Sequence, residues 1–248
     1  MKGIELNLTE FFILFLAAFI LGLSKSGIKG ISVIIVAMLV FIFGAKNSTG
    51  VLLPMLIVGD IFAVIYYHRH AKWNYLIKLL PPMVLGVLLA TWAGDQVPEE
   101  IFRKSMAGVI LISVLMMYWW EKRSSKSVPD NLRFSGLMGL IAGFTTMIGN
   151  LAGSFANLYF LAMQLPKNAF IGTTAWLFLI INLFKVPFHI WSWNTINMQS
   201  IWTSFLTVPF IFLGLFVGVK ILKRINDKLF KNFILIATTL GAILIFIT

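Results

Sequence analysis

Uncharged apolar runs recur along the whole chain, near residues 11–23, 31–43, 51–67, 76–93, 104–120, 136–148, 151–165, 170–191, 201–219 and 232–247. The charge lies between these runs instead of alternating with them, so they read as helices facing lipid. Five fall in each half. The first two of each half are short: about 13 residues at a rise of ~1.5 Å cover roughly 20 Å, against a hydrocarbon core of about 30 Å. Each short pair is split by a polar, Gly-bearing stretch, Ser24-Lys25-Ser26-Gly27-Ile28-Lys29-Gly30 in the first half and Thr145-Thr146-Met147-Ile148-Gly149-Asn150 in the second. The pattern predicts a broken or re-entrant helical hairpin opening each half.

The halves align position by position. Lys46-Asn47 matches Lys167-Asn168, Gly50 matches Gly172, Asp60 falls on Asn182, Trp73-Asn74 on Trp193-Asn194, Leu85-Gly86 on Leu213-Gly214, and Phe102-Arg103 on Phe230-Lys231. Equivalent loops carry opposite charge bias. His68-Arg69-His70-Ala71-Lys72 is basic, whereas its counterpart His189-Ile190-Trp191-Ser192-Trp193-Asn194 has no Lys or Arg. The next loop reverses this, acidic over residues 95–100 and strongly basic over 220–231. If basic loops stay cytoplasmic, equivalent loops face opposite sides and the repeats are inverted. The expected fold is therefore an all-α integral membrane protein of two inverted repeats of five apolar segments, residues 1–120 and 134–248. A basic cytoplasmic linker, residues 121–133, joins them. An odd number of crossings per repeat, either five spans or three plus a re-entrant hairpin, puts both termini outside.

Composition agrees. The 248 residues are 59% hydrophobic and only 12% charged, where soluble domains carry about 25%, and the mean hydropathy is +0.93. The net charge of +11 comes mostly from Lys and Arg set between apolar segments, the positive-inside pattern and not a nucleic-acid footprint. Cysteine is absent, which excludes disulfides, thiolate metal sites and a Cys nucleophile. The N-terminus makes a poor signal peptide and the first segment is expected to be retained. There is no G-x-S-x-G, Walker loop or H-E-x-x-H, so no enzyme, cofactor or metal is expected. His68 and His70, beside Arg69 without a carboxylate, are solvated loop residues.

Candidate chemistry concentrates at the two breaks. Non-helical backbone at membrane depth is tolerated only in protein or beside a cavity, and helix starts there present N–H groups to an anion. The first break supplies Ser24, Lys25, Ser26, Gly27, Lys29 and Gly30. The second supplies Thr145, Thr146, Gly149 and Asn150, with Asn157 two turns further on. The plainer reading makes both stretches ordinary surface turns with lysines reaching headgroups. Asp60 and Lys185 lie inside apolar segments, where a charge costs several kcal/mol unless paired or hydrated. Asp60 aligns with Asn182, and Lys185 follows Asn182 by three residues on nearly the same helical face. These three are expected to gate or couple transport, the alternative being a structural ion pair.

The Gly-bearing break Gly22-Leu23-Ser24-Lys25-Ser26-Gly27-Ile28-Lys29-Gly30, its echo Gly143-Phe144-Thr145-Thr146-Met147-Ile148-Gly149-Asn150-Leu151-Ala152-Gly153, and the Asp60 segment with its basic loop and Trp73 resemble the TauE/SafE sulfite-exporter family, also called the toluene-sulfonate uptake permease family. The denser Gly-Gly-Gly-Pro cluster typical of members is missing. The resemblance implies secondary transport of sulfur-containing anions: sulfite, thiosulfate or an organosulfonate. The residues alone reach a small anion carried by alternating access across a cell inner membrane or plasma membrane, with a coupling proton or sodium ion and a homodimer both compatible. The competing readings are a proton- or cation-coupled antiporter using Asp60 and a non-transporting membrane scaffold.

Overall fold

The computed structural model describes residues 6–27, 31–122 and 131–222. Among them the extended elements are all helical: α1 (Leu8–Lys25), α2 (Ser32–Phe43), α3 (Ala45–Tyr67), a 3-10 turn (His68–His70), α4 (Trp73–Gly94), α5 (Glu99–Lys122), α6 (Leu132–Gly149), α7 (Ala152–Ala162), α8 (Lys167–Trp191) and α9 (Met198–Leu222). Six of these, α1, α3, α4, α6, α8 and α9, are long and apolar enough to cross a membrane. Phe12, Ile65, Trp92 and Phe216 project from them, as a lipid-facing perimeter requires. The tenth apolar run, the basic stretch beyond Leu222 and most of the 121–133 linker lie outside the described residues.

The opening helix of each half is longer than its apolar run. α1 and α6 have 18 residues each, about 27 Å of helix, so the expected short first segments are corrected. Polar residues make up the difference. Asn7 and Glu10 form a capping box that starts α1 ahead of the apolar run: Asn7 Oδ1 accepts from Glu10 N at 2.9 Å and Glu10 Oε2 from Asn7 N at 2.8 Å. Asn131 Oδ1 likewise accepts from Phe134 N at 2.8 Å to begin α6. The second helix of each half is short, 12 residues in α2 and 11 in α7, about 18 and 16 Å. Neither spans a bilayer.

α3 starts after Gly44, whose φ of 79° suits only glycine. Its exposed N–H groups are capped from far along the chain, since Glu99 of α5 accepts from the backbone N–H of both Ala45 and Lys46. A carboxylate at a helix start also favours the helix dipole. Lys46 Nζ then reaches back to the carbonyls of Gly94 and Asp95 at 3.3 and 3.0 Å, tying the start of α3 to the end of α4.

Helices from opposite halves pack together: α1 against α9, α4 against α6, and α3 against α8. Glycine sets the first two crossings. A methyl group on Gly22 of α1 would overlap the backbone of Ile211 and Gly214 in α9, and one on Gly143 of α6 would overlap Met83 in α4. Gly214 and Gly86 face them in the same way. α3 and α8 run antiparallel. Gly50 near the start of α3 lies on the Thr195 carbonyl just past α8, while Gly172 near the start of α8 lies on the Tyr67 carbonyl at the end of α3.

Gly22→Ala and Gly143→Ala should each destabilise the folded protein by about 1–3 kcal/mol through overpacking. Gly136→Ala meets nothing within 4 Å and should be neutral or stabilising, by up to about 1 kcal/mol, from helix propensity. Thermal unfolding of the three variants in detergent checks both signs.

Candidate functional site

α1 ends where Ser26 turns its hydroxyl onto the Leu23 carbonyl at 2.7 Å and Gly27 takes a φ of 122°. Tyr67 at the end of α3 donates to the Ser26 carbonyl at 3.1 Å and holds this turn in place. Lys25 thus remains in the last helical turn. Its Nζ meets Asp60 Oδ1 of α3 at 2.5 Å, with 10% and 1% of the two side chains exposed. The second carboxylate oxygen accepts from Asn182 Nδ2 of α8 at 2.7 Å. Asp60 is therefore gripped from two helices, one in each half.

α6 ends differently. Asn150 adopts the left-handed conformation at φ 57°, which Asn tolerates better than most residues. The Asn150 and Leu151 amides then close back on the Thr146 and Thr145 carbonyls at 2.9 and 3.2 Å. This turn aims the Asn150 side chain across the bundle: Nδ2 donates to the Thr49 carbonyl of α3 at 3.3 Å, and Oδ1 accepts from Lys185 Nζ at 2.6 Å. Lys185, fully buried, also donates to the Thr146 carbonyl and hydroxyl at 3.1 and 3.0 Å. Three acceptors match the three N–H bonds of an ammonium, and all three are neutral.

Between the two clusters lies a cavity of about 50 Å³. Ser24, Lys25, Asn182, Thr146, Asn150 and Asn157 contribute its polar wall, and Leu56 and Phe178 part of the apolar one. Both short helices begin here. Ser32 opens α2, Ala152 and Gly153 open α7, and neither helix has a side-chain N-cap. A methyl group on Gly153 would stand 3.9 Å from Ser32 Oγ and 3.6 Å from Asn157 Nδ2, so the two helix starts are neighbours. Uncapped N–H groups and two positive dipole ends, beside a lysine that also lies 5.3 Å from the Phe178 ring centroid, make a cradle suited to an anion.

The structure gathers six of the expected residues at the cavity, Ser24, Lys25, Thr146, Asn150, Asn157 and Asn182, with Asp60 and Lys185 one hydrogen bond behind them. Ser26, Gly27, Thr145 and Gly149 do not line it. Thr145 spends its hydroxyl on the Ile141 carbonyl at 2.8 Å inside its own helix, and Gly149 packs toward Leu151 and Met106. Lys29 and Gly30 lie outside the described residues. The polar stretches are also more helical than expected: Ser24 and Lys25 belong to α1, and residues 145–149 to α6. Ser32 and Thr49 were not singled out from sequence, and Gly153 only as the last residue of the second glycine-bearing stretch. His189, read as a loop residue, is in the last turn of α8 and fully buried, with Nδ1 2.8 Å from Thr195 Oγ1. Among the described residues no group of three or more His, Cys, Asp or Glu is arranged to hold a metal ion.

The sequence profile of the family described as "Sulfite exporter TauE/SafE" matches residues 11–245, nearly the whole chain. The chain belongs to the TauE/SafE family. No curated protein and no solved structure matches it. TauE/SafE proteins are membrane transporters and not enzymes, so the chain is a multi-pass membrane protein that moves a small anion across a lipid bilayer.

Breaking a buried ion pair from one side leaves a charge without its partner, at a cost of about 3–5 kcal/mol. Lys25→Met and Asp60→Asn should each lower thermal stability by that order, and the double variant should lose much less than the sum. A double-mutant cycle on the purified protein reads the coupling directly.

Proposed function

We propose that this TauE/SafE chain is a secondary transporter of small sulfur oxyanions, sulfite foremost, working by alternating access around the cavity between α1, α2, α7 and α8. One observation carries the reading: two helix starts without side-chain N-caps and Lys25 meet at a small chamber, with Lys185 behind it and Asp60, the one nearby carboxylate among the described residues, already engaged by Lys25 and Asn182. Positive potential without a competing anion suits an oxyanion that must bind and then leave. Asp60 and Asn182 bridge the halves, Lys185 stands behind Asn150, and in this reading the three gate access or couple it to an ion. A cation carrier would need the carboxylate at the chamber wall, and Asp60 stands behind Lys25 instead.

The same reading takes the halves, residues 1–120 and 134–248, as inverted repeats. Supporting it, the aligned residues Asp60 and Asn182 touch across antiparallel helices, and the Gly22–Gly214 crossing has its counterpart in Gly143–Gly86. In this arrangement α1–α2 and α6–α7 are the broken hairpins that open each repeat, each repeat crosses an odd number of times, residues 121–133 face the cytoplasm and both termini lie outside a cell inner membrane or plasma membrane.

In proteoliposomes the wild type should take up labelled sulfite down a gradient. The Lys25→Met/Asp60→Asn double variant removes the ion pair as a unit and should lose tenfold or more of that flux, on the order of one charged hydrogen bond. Flux that follows a pH gradient and ignores every anion would instead identify a cation antiporter, and unchanged sulfite flux in the double variant would remove Lys25 from the site.

A further inference from the structure

Lys185 is fully buried, and its Nζ meets three neutral oxygens: Asn150 Oδ1 at 2.6 Å, Thr146 Oγ1 at 3.0 Å and the Thr146 carbonyl at 3.1 Å. These partners serve two protonation states. An ammonium donates to all three. A free amine donates to the amide and carbonyl oxygens, which only accept, and its lone pair takes the hydrogen of the Thr146 hydroxyl, which donates as well as accepts. A proton therefore leaves Lys185 or returns to it without orphaning any of the four groups.

Path and linkage both lead to the chamber. Thr146 and Asn150 belong to its wall, so Lys185 stands one hydrogen bond behind it. The cavity of about 50 Å³ has room for water, and a hydroxyl that accepts one hydrogen while giving up another relays a proton from that water to Nζ. An anion in the chamber lies close to Lys185 in surroundings of low dielectric, where opposite charges attract far more than in bulk water. The anion thus favours the ammonium, and the ammonium favours the anion by the same factor.

The other titratable groups that act on Lys185 among the described residues are Asp60 of α3, Lys25 of α1 and His189, one turn along α8. Asp60 gives its two oxygens to Lys25 and Asn182, and His189 pairs with Thr195 away from the cavity wall. From α6, the described partners of Lys185 are neutral. We propose that Lys185 is the proton-coupling site of the transporter: it takes up a proton through Thr146 as the anion binds and returns it as the anion leaves, so that anion and proton travel together. The inference rests on the anion-transport reading and names its coupling ion.

Thiosulfate and methanesulfonate are the probes, because their charges stay constant across the neutral range and any proton taken up is the protein's. Added to purified protein in weakly buffered solution with a pH indicator, the tighter binder should draw protons from the medium. Its affinity should fall by about tenfold or more from mildly acidic to mildly alkaline pH. Lys185→Arg keeps a charge that is not given up and should bind the anion with neither proton uptake nor pH dependence. Thr146→Val takes an acceptor from the ammonium, whose hydrogen bonds are stronger than those of the amine, and should move the midpoint of the pH dependence to lower pH; this variant decides if the arginine does not fit. His189→Gln should keep the proton uptake. Anion binding without proton uptake in the wild type would overturn the inference and leave anion transport standing. So would uptake that survives in Lys185→Arg, an unmoved midpoint in Thr146→Val, or uptake lost in His189→Gln. No binding of either probe together with no flux of sulfite would overturn the transport reading and this one at once.

Discussion

A carboxylate that water cannot reach must be held by something else, and the holding of Asp60 organises the centre of the molecule. Lys25 comes from the first helix and Asn182 from the eighth, so a single buried charge fixes where α1, α3 and α8 meet. The pair is no general source of stability, since desolvating both ions offsets most of their attraction. Its value is positional. Once Lys25 is drawn to Asp60, the last turn of α1 is committed to the bundle interior, and the start of α2 is delivered to the cavity with its amides uncapped. Lys185 does the same for the other half by seizing Thr146 and Asn150 at the end of α6.

Half-length helices are the second constraint. Backbone N–H and C=O groups have no water to turn to in hydrocarbon, so a helix that stops part-way must end inside protein or beside a wet chamber. α2 and α7 are too short to do anything else. Their starts sit side by side, Ser32 next to Gly153, and the small residues there let the backbones come near enough to share one space.

Much of this was legible in the residues. The alignment of Asp60 with Asn182 anticipated two positions that touch at 2.7 Å, and the polar interruptions after the first and sixth helices marked the neighbourhood of the cavity. The partners were harder to read. Three-residue spacing puts Lys185 on the face of Asn182, yet its bonds go to α6, because a left-handed Asn150 offers an amide oxygen that no sequence pattern announces. The breaks were drawn too wide for a similar reason: Ser24, Lys25 and Thr145 are acceptable in helices, and only the backbone hydrogen bonds show where a helix stops. His189 was misjudged from its Trp-, Ser- and Asn-rich surroundings, which resemble a loop although the helix runs on to Trp191.

The glycine crossings bear on how such a molecule can move. Where α1 lies on α9 and α4 on α6 with backbone against backbone, no side-chain rotamers are available to cushion sliding, so each couple is stiff. Each couple also draws one member from either end of the polypeptide. The linker that divides the chain is therefore no boundary between rigid couples, because each couple carries helices of both halves.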